Sequence, residues 1–128
     1  MKILINDQRN IFAIQKEFNS AFPFLNIEFF SKSNKESGVP AFKNIKQGNK
    51  TLGECRTIHN DDEINITSSM TIKDLEQNFL DIYGLGINIF RKSGKAWLET
   101  TVTSNWTLEE QNSQGKALSE SSGEIIKP

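Results

Sequence analysis

The chain has 128 residues, 36% hydrophobic and 24% charged, the proportions of one globular domain. A formal net charge of −1 excludes a global field that would demand nucleic acid or an acidic membrane. The single cysteine, Cys55, excludes an internal disulfide framework and suggests a reducing compartment, so a cytoplasmic setting is expected.

At the N-terminus, Met1-Lys-Ile-Leu-Ile is interrupted at once by Asn6-Asp-Gln-Arg9, so no signal peptide is expected. No apolar run approaches the roughly 20 residues needed to span a bilayer, and no membrane partner is expected. Residues 2–5 read as a first strand. A helix follows from about Asn10 to Phe22, with the stripe Ile11, Ile14, Phe18 and Phe22 and an additional apolar Phe12. Pro23 cannot continue it. Asn26 to Phe30 reads as a second strand, with Ile27 and Phe29 on one face and Phe30 on the other. Ser31 to Gly53 is irregular. Lys32, Lys35, Lys43, Lys46 and Lys50 stand there against one glutamate, Glu36, while Val39, Ala41, Phe42 and Ile45 offer apolar anchors.

Leu52 to Ile58 reads as a strand and His59-Asn-Asp-Asp62 as a turn. Ile64 and Ile66 alternate with polar neighbours, the period of a half-buried strand. Thr71 is a good helix N-cap, because its hydroxyl can accept from an unpaired backbone N–H one turn in, and Asp74 completes a variant capping box. Ile72, Leu75, Phe79, Ile82 and Tyr83 form the stripe, and Gly84 and Gly86 end the helix. Ile87 and Ile89 restore the strand period. Arg91 to Lys95 reads as a basic turn, and Ala96 to Val102 as a return strand. Thr107-Leu-Glu-Glu110 is a second capping box, so a short helix is expected there. Beyond Gln111 the residues are polar, apart from Ile125 and Ile126, and residues 111–128 read as a flexible tail.

The second half echoes the first. At an offset of 61, Ile3 falls on Ile64, Ile5 on Ile66, Ile11 on Ile72, Ile14 on Leu75, Phe18 on Phe79 and Phe22 on Tyr83. After one gap near Leu25 the offset is 60, and Phe30, Lys32 and Ser33 fall on Phe90, Lys92 and Ser93. Any two strand-helix-strand units share an apolar pattern, but the matching basic turns raise an internal duplication, with halves 1–51 and 52–110. The expected fold is α+β: one domain over 1–110, two strand-helix-strand-strand-like halves in a mixed sheet, two main helices on one face, and a short last helix.

Motifs that carry chemistry are weak. Cys55 and His59 lie four apart, a spacing that converges on a helix but has less reason to on a strand running into a turn, and no second Cys or His exists to complete a zinc site. Glu54, Asp61, Asp62 and Glu63 are an acidic run without the calcium-loop spacing. Arg91-Lys-Ser-Gly-Lys95 lacks the upstream glycine and following helix of a phosphate loop. No nucleophile, base, metal or cofactor set is recognisable, which ranks an enzyme last. Two surfaces remain. Lys32, Lys35, Arg91, Lys92 and Lys95, with Trp97 to stack bases, are the candidate nucleic-acid contacts, although hairpin tips are often charged for solubility alone. Phe30, Phe90 and Trp97 are the candidate hydrophobic face for a protein partner or a second copy, since helices on one sheet face leave the other to be covered. Trp97 and Trp106 bracket the threonine-rich run Glu99-Thr-Thr-Val-Thr-Ser104, whose edge could pair with another strand, and at least one tryptophan is expected in the core.

The ordered series LGECRTIHNDDEINI, MTIKDLEQNF, YGLGINIFRKSGKAWLETTVT and NWTLEEQN, within residues 52–111, resembles a family of small uncharacterised bacterial proteins. The resemblance implies a stand-alone cytoplasmic bacterial protein and brings no activity, cofactor or site residue with it. The leading expectation is therefore a non-enzymatic binding, adaptor or self-associating module, with nucleic-acid binding second.

Overall fold

The computed structural model describes residues 1–32, 42–44, 50–56 and 58–125. The elements run β1 (Lys2–Ile5), α1 (Ile11–Ala21), β2 (Leu25–Lys32), β3 (Phe42–Asn44), α2 (Leu52–Cys55), β4 (Asp62–Asn65), α3 (Ile72–Tyr83), β5 (Gly86–Ser93), β6 (Ala96–Glu99) and α4 (Leu108–Ile125). The architecture is α+β. All the described pairings are antiparallel and fall in two sheets, β1-β4 and β3-β2-β5-β6, where one mixed sheet was expected. The first strands of the two halves pair with each other, and so do the second strands, which separates the two pairs.

Both main helices start within a residue of where they are expected, α3 after the predicted Thr71 cap. The Asn10 side chain accepts from Ala13 N, and the Thr71 hydroxyl from Asp74 N. Gly84 closes α3 with φ of 64°, a left-handed angle that glycine adopts at low cost. Ile11, Ile14 and Phe18 of α1 and Ile72, Leu75, Phe79 and Tyr83 of α3 are buried, whereas Ile82 and Phe12 are exposed. The stripes pack on Leu25, Ile27 and Phe29 of β2 and Ile87 and Ile89 of β5, with Phe79 edge-on to Phe29. Ile3, Ile5, Ile64 and Ile66 close the same core. Burying each such side chain contributes roughly 1.5–3 kcal/mol.

Three local readings are corrected. Leu52–Cys55 is a short helix, not a strand: Thr51 and Glu54 form a full capping box, and Leu52 and Cys55, one turn apart, are both buried. The return strand stops at Glu99, because Thr100 is buried and its hydroxyl donates to Ile89 O at 2.8 Å. Residues 101–106 turn away, so most of the threonine-rich run is not strand. Residues 111–125 are not a loose tail but part of α4. The stripe that docks it is Leu108, Gln111 and Gly115, all buried. Its spacing is helical, but two of its three members are not apolar. Gln111 donates to Thr103 O at 2.8 Å and accepts from Arg91 Nη1 at 3.0 Å. Gly115 lets the helix approach Phe24 so closely that a Cβ there would lie 2.9 Å from Phe24 Cβ.

The hydrogen bonds of the first β-α-β-β-α run recur in the second. Ile11 N donates to Lys50 O at 2.9 Å, and Ile72 N to Trp106 O at 3.2 Å. Leu52 N donates to Arg9 O, and Leu108 N to Met70 O, both at 2.8 Å. Gly53 N donates to Asp7 O and Glu109 N to Ser68 O. The strand registers are centred alike: Ile3 faces Ile64, and Glu28 faces Asn88. By these contacts α2 corresponds to the start of α4 and belongs with the first run, rather than opening the second at residue 52.

Candidate functional site

β6 is an edge strand, and each of its four residues is exposed. Ser93 and Ala96 flank a two-residue turn at Gly94 and Lys95, with Gly94 at φ of 61°. Thr100 N donates back to Ile89 O at 3.2 Å, so its backbone groups face β5. In an antiparallel ladder this direction alternates along the strand. Leu98 and Ala96 therefore also face β5, while the N–H and C=O of Trp97 and Glu99 point off the edge. No described residue bonds them.

The register divides the large sheet into two faces. Leu25, Ile27, Phe29, Ile87 and Ile89 are buried beneath the helices. Asn26, Glu28, Phe30, Asn88, Phe90 and Lys92 are only half-buried on the opposite face, where Trp97 lies across from Lys92 and Glu99 across from Phe90. Phe30, Phe90 and Trp97 thus share the face expected for them. Neither tryptophan is a core residue: Trp97 is 41% and Trp106 37% exposed.

At one end of this open face is a groove of about 270 Å³, lined by Phe30, Glu76, Leu80, Gly86, Ile87 and Asn88. Phe30 pairs with Gly86, whose missing side chain leaves the notch beside the ring. Glu76 and Leu80, one helical turn apart on α3, supply the far wall. Burial raises the Glu76 carboxyl above its usual range.

Among the described residues, Arg91, Lys92 and Lys95 are not gathered at one tip. Lys35 lies outside the described residues, as does the Lys32 side chain, although Lys32 itself ends β2. Arg91 is not in a turn. It lies within β5 opposite Leu25, on the helix-covered side, with its guanidinium on Gln111 and 5.5 Å from the Trp106 ring centroid. Lys92 is half-buried across from Trp97, and Lys95 is exposed at the turn.

A polar cluster that the sequence only half disclosed joins β1 to the chain entering β4. Arg56, with its side chain fully buried, donates from Nε at 2.9 Å and Nη2 at 2.8 Å to Asp7 Oδ1. The His59 ring, through Nδ1, meets Asp7 Oδ2 at 2.8 Å. These bonds, His59 first and then Arg56, hold the Asp7 carboxyl below its ordinary value of 3.8. The acidic run disperses: Glu54 caps α2, Asp62 accepts from Tyr83 OH at 3.4 Å, and Asp61 reaches Arg56 Nη2 at 3.9 Å. Cys55 is buried, which pushes its thiol pKa up, and His59 is engaged with Asp7. Among the described residues no group of three or more His, Cys, Asp or Glu could hold a metal. His59 and Asp61 were legible as candidates, Asp7 and Arg56 were not. A buried arginine demands a carboxylate, but nothing in sequence says which one.

No family model, curated protein or solved structure matches this chain. Among the described residues no helix is long and apolar enough to cross a membrane.

Proposed function

We propose that this protein is a non-enzymatic binding module that self-associates through β6. The observation that carries the reading is the edge itself: four exposed residues with two backbone positions, Trp97 and Glu99, pointing off the sheet. Such an edge is a template for strand addition. A second copy fits it about a two-fold axis at Trp97. Trp97 then faces its own counterpart in a hydrogen-bonded pair, and Lys95 faces Glu99 of the other copy twice. Facing opposite charges stabilise a cross-strand pair and like charges weaken it. Two four-stranded sheets become one antiparallel sheet of eight. Phe90 and Trp97 of both copies then form a continuous apolar strip.

Nucleic-acid binding has less support, because Arg91 is held on Gln111 on the helix-covered side, apart from Lys92 and Lys95. A cytoplasmic, bacterial setting is part of the proposal. So is a common origin for the two β-α-β-β-α runs, supported by their recurring caps and cross-connections.

Sedimentation velocity from low to high micromolar protein tests the association. A concentration-dependent dimer is expected. Lys95→Glu places four carboxylates along the seam and should abolish it, and adding Glu99→Lys should restore it by reversing the pair. A wild-type monomer throughout, or a dimer indifferent to the charge swap, overturns the reading.

A further inference from the structure

The groove beside Phe30 goes beyond the β6 edge, and its chemistry is specific. Its lining combines the apolar Phe30, Leu80 and Ile87 with two residues that carry polar side chains, Glu76 and Asn88. Glu76 makes no hydrogen bond or ion pair with any described residue, although Lys73 stands one turn before it on α3. A half-buried carboxylate without a partner is costly to keep, and the apolar wall would be better served by leucine. A cation repays that cost. A groove of about 270 Å³ lies at the small end of ligand sites, which suits a small ligand.

We propose that this groove binds a primary ammonium carried on an apolar stem, as in a lysine side chain or an alkylamine. The stem lies against Leu80 and Ile87. The ammonium has three donors: one meets the Glu76 carboxylate, one the Asn88 amide oxygen, and the charge faces the Phe30 ring. The site makes no use of β6, so it stands or falls apart from self-association.

The test is a titration of isotope-labelled full-length protein with n-butylammonium chloride at constant ionic strength. The readouts are the amide signals of Glu76, Gly86, Ile87 and Asn88. Saturable shifts are expected in the wild type. Glu76→Gln, on a helix face that tolerates the isostere, should weaken binding about tenfold or more, the size of one lost charged hydrogen bond. n-Butanol should bind both proteins equally and more weakly than butylammonium binds the wild type. An acetyl-Gly-Lys-Gly-amide arm assigns the source: tighter binding than butylammonium points to a lysine on a protein, weaker binding to a free alkylamine. Absence of saturable shifts overturns the proposal. So does undiminished binding in Glu76→Gln, or n-butanol binding as tightly as the amine.

Discussion

Gly115→Ala separates a docked α4 from a free one, because two effects of opposite sign meet at that residue. In an unpacked helix, alanine in place of glycine gains about 0.8–1.0 kcal/mol of helix propensity. In this protein the new Cβ would lie 2.9 Å from Phe24 Cβ and 3.2 Å from Arg91 Cγ. Neither neighbour yields easily. Phe24 Cβ is one bond from the backbone, whose N–H is held by Asn112 Oδ1 at 2.9 Å, and Arg91 is fixed on Gln111. Overpacking of this kind costs about 1–3 kcal/mol, so the variant should lose roughly 1 kcal/mol net. That is a drop of a few degrees in melting temperature for a domain of this size. Urea unfolding, followed by tryptophan fluorescence and circular dichroism, measures it. Ser113→Ala, at an exposed position of the same helix, is the control and should gain about 0.5 kcal/mol at most. A Gly115→Ala protein stabilised like the control would refute the docking of α4 on Phe24 and Arg91.

The cap of the same helix is tested by Thr107→Ala. It removes the acceptor of Glu110 N and should cost about 1 kcal/mol in the same urea assay. A second expectation concerns acid. The Asp7 carboxyl is held below its ordinary value of 3.8, so it is the ionised form that the folded state favours. The stability it contributes is complete above that ordinary value and is lost as pH falls through the lowered one. Asp7→Asn should therefore be less stable than wild type at neutral pH, with the two converging in strong acid. Urea midpoints for both proteins across the acid range show this, and a constant gap down to the lowest pH would contradict it.

How much of this was legible follows from which interactions are local. The caps at Thr71 and Thr107, the apolar stripes of α1 and α3, and the two faces of β2 and β5 are set by residues within a turn or two of each other. Each was readable as a spacing. The helix at Leu52 was missed although its capping box, Thr51 to Glu54, has the same form as Thr107 to Glu110. The side-chain period cannot decide between helix and strand over four residues. The docked stretch of α4 was missed for another reason. Its buried face is Gln111 and Gly115, chosen for one hydrogen-bond triangle and one close approach, and neither carries a hydrophobic signal. Arg91 was misplaced by its neighbours: in a run of Arg-Lys-Ser-Gly-Lys the charge reads as a tip, while the β2 register turns that one side chain inward.

The recurring contacts of the two runs also say where specialisation lies. Gly53 N on Asp7 O corresponds to Glu109 N on Ser68 O, and both bonds tie a short helical turn to the chain before a main helix. The backbone link is shared, but the side chains are not. Asp7 carries Arg56 and His59, whereas the hydroxyl of Ser68 is too short for either role. In the second run Asn112 instead reaches Phe24 N, and the helix continues for three more turns across β5. The open groove is likewise one-sided, since it needs Gly86 opposite Phe30, and the pair at the other end is Asn26 with Phe90. Scaffold bonds recur and the side chains of the proposed sites do not. On that ground Glu76, Phe30 and the β6 edge are the positions at which substitutions should change binding while leaving the fold in place.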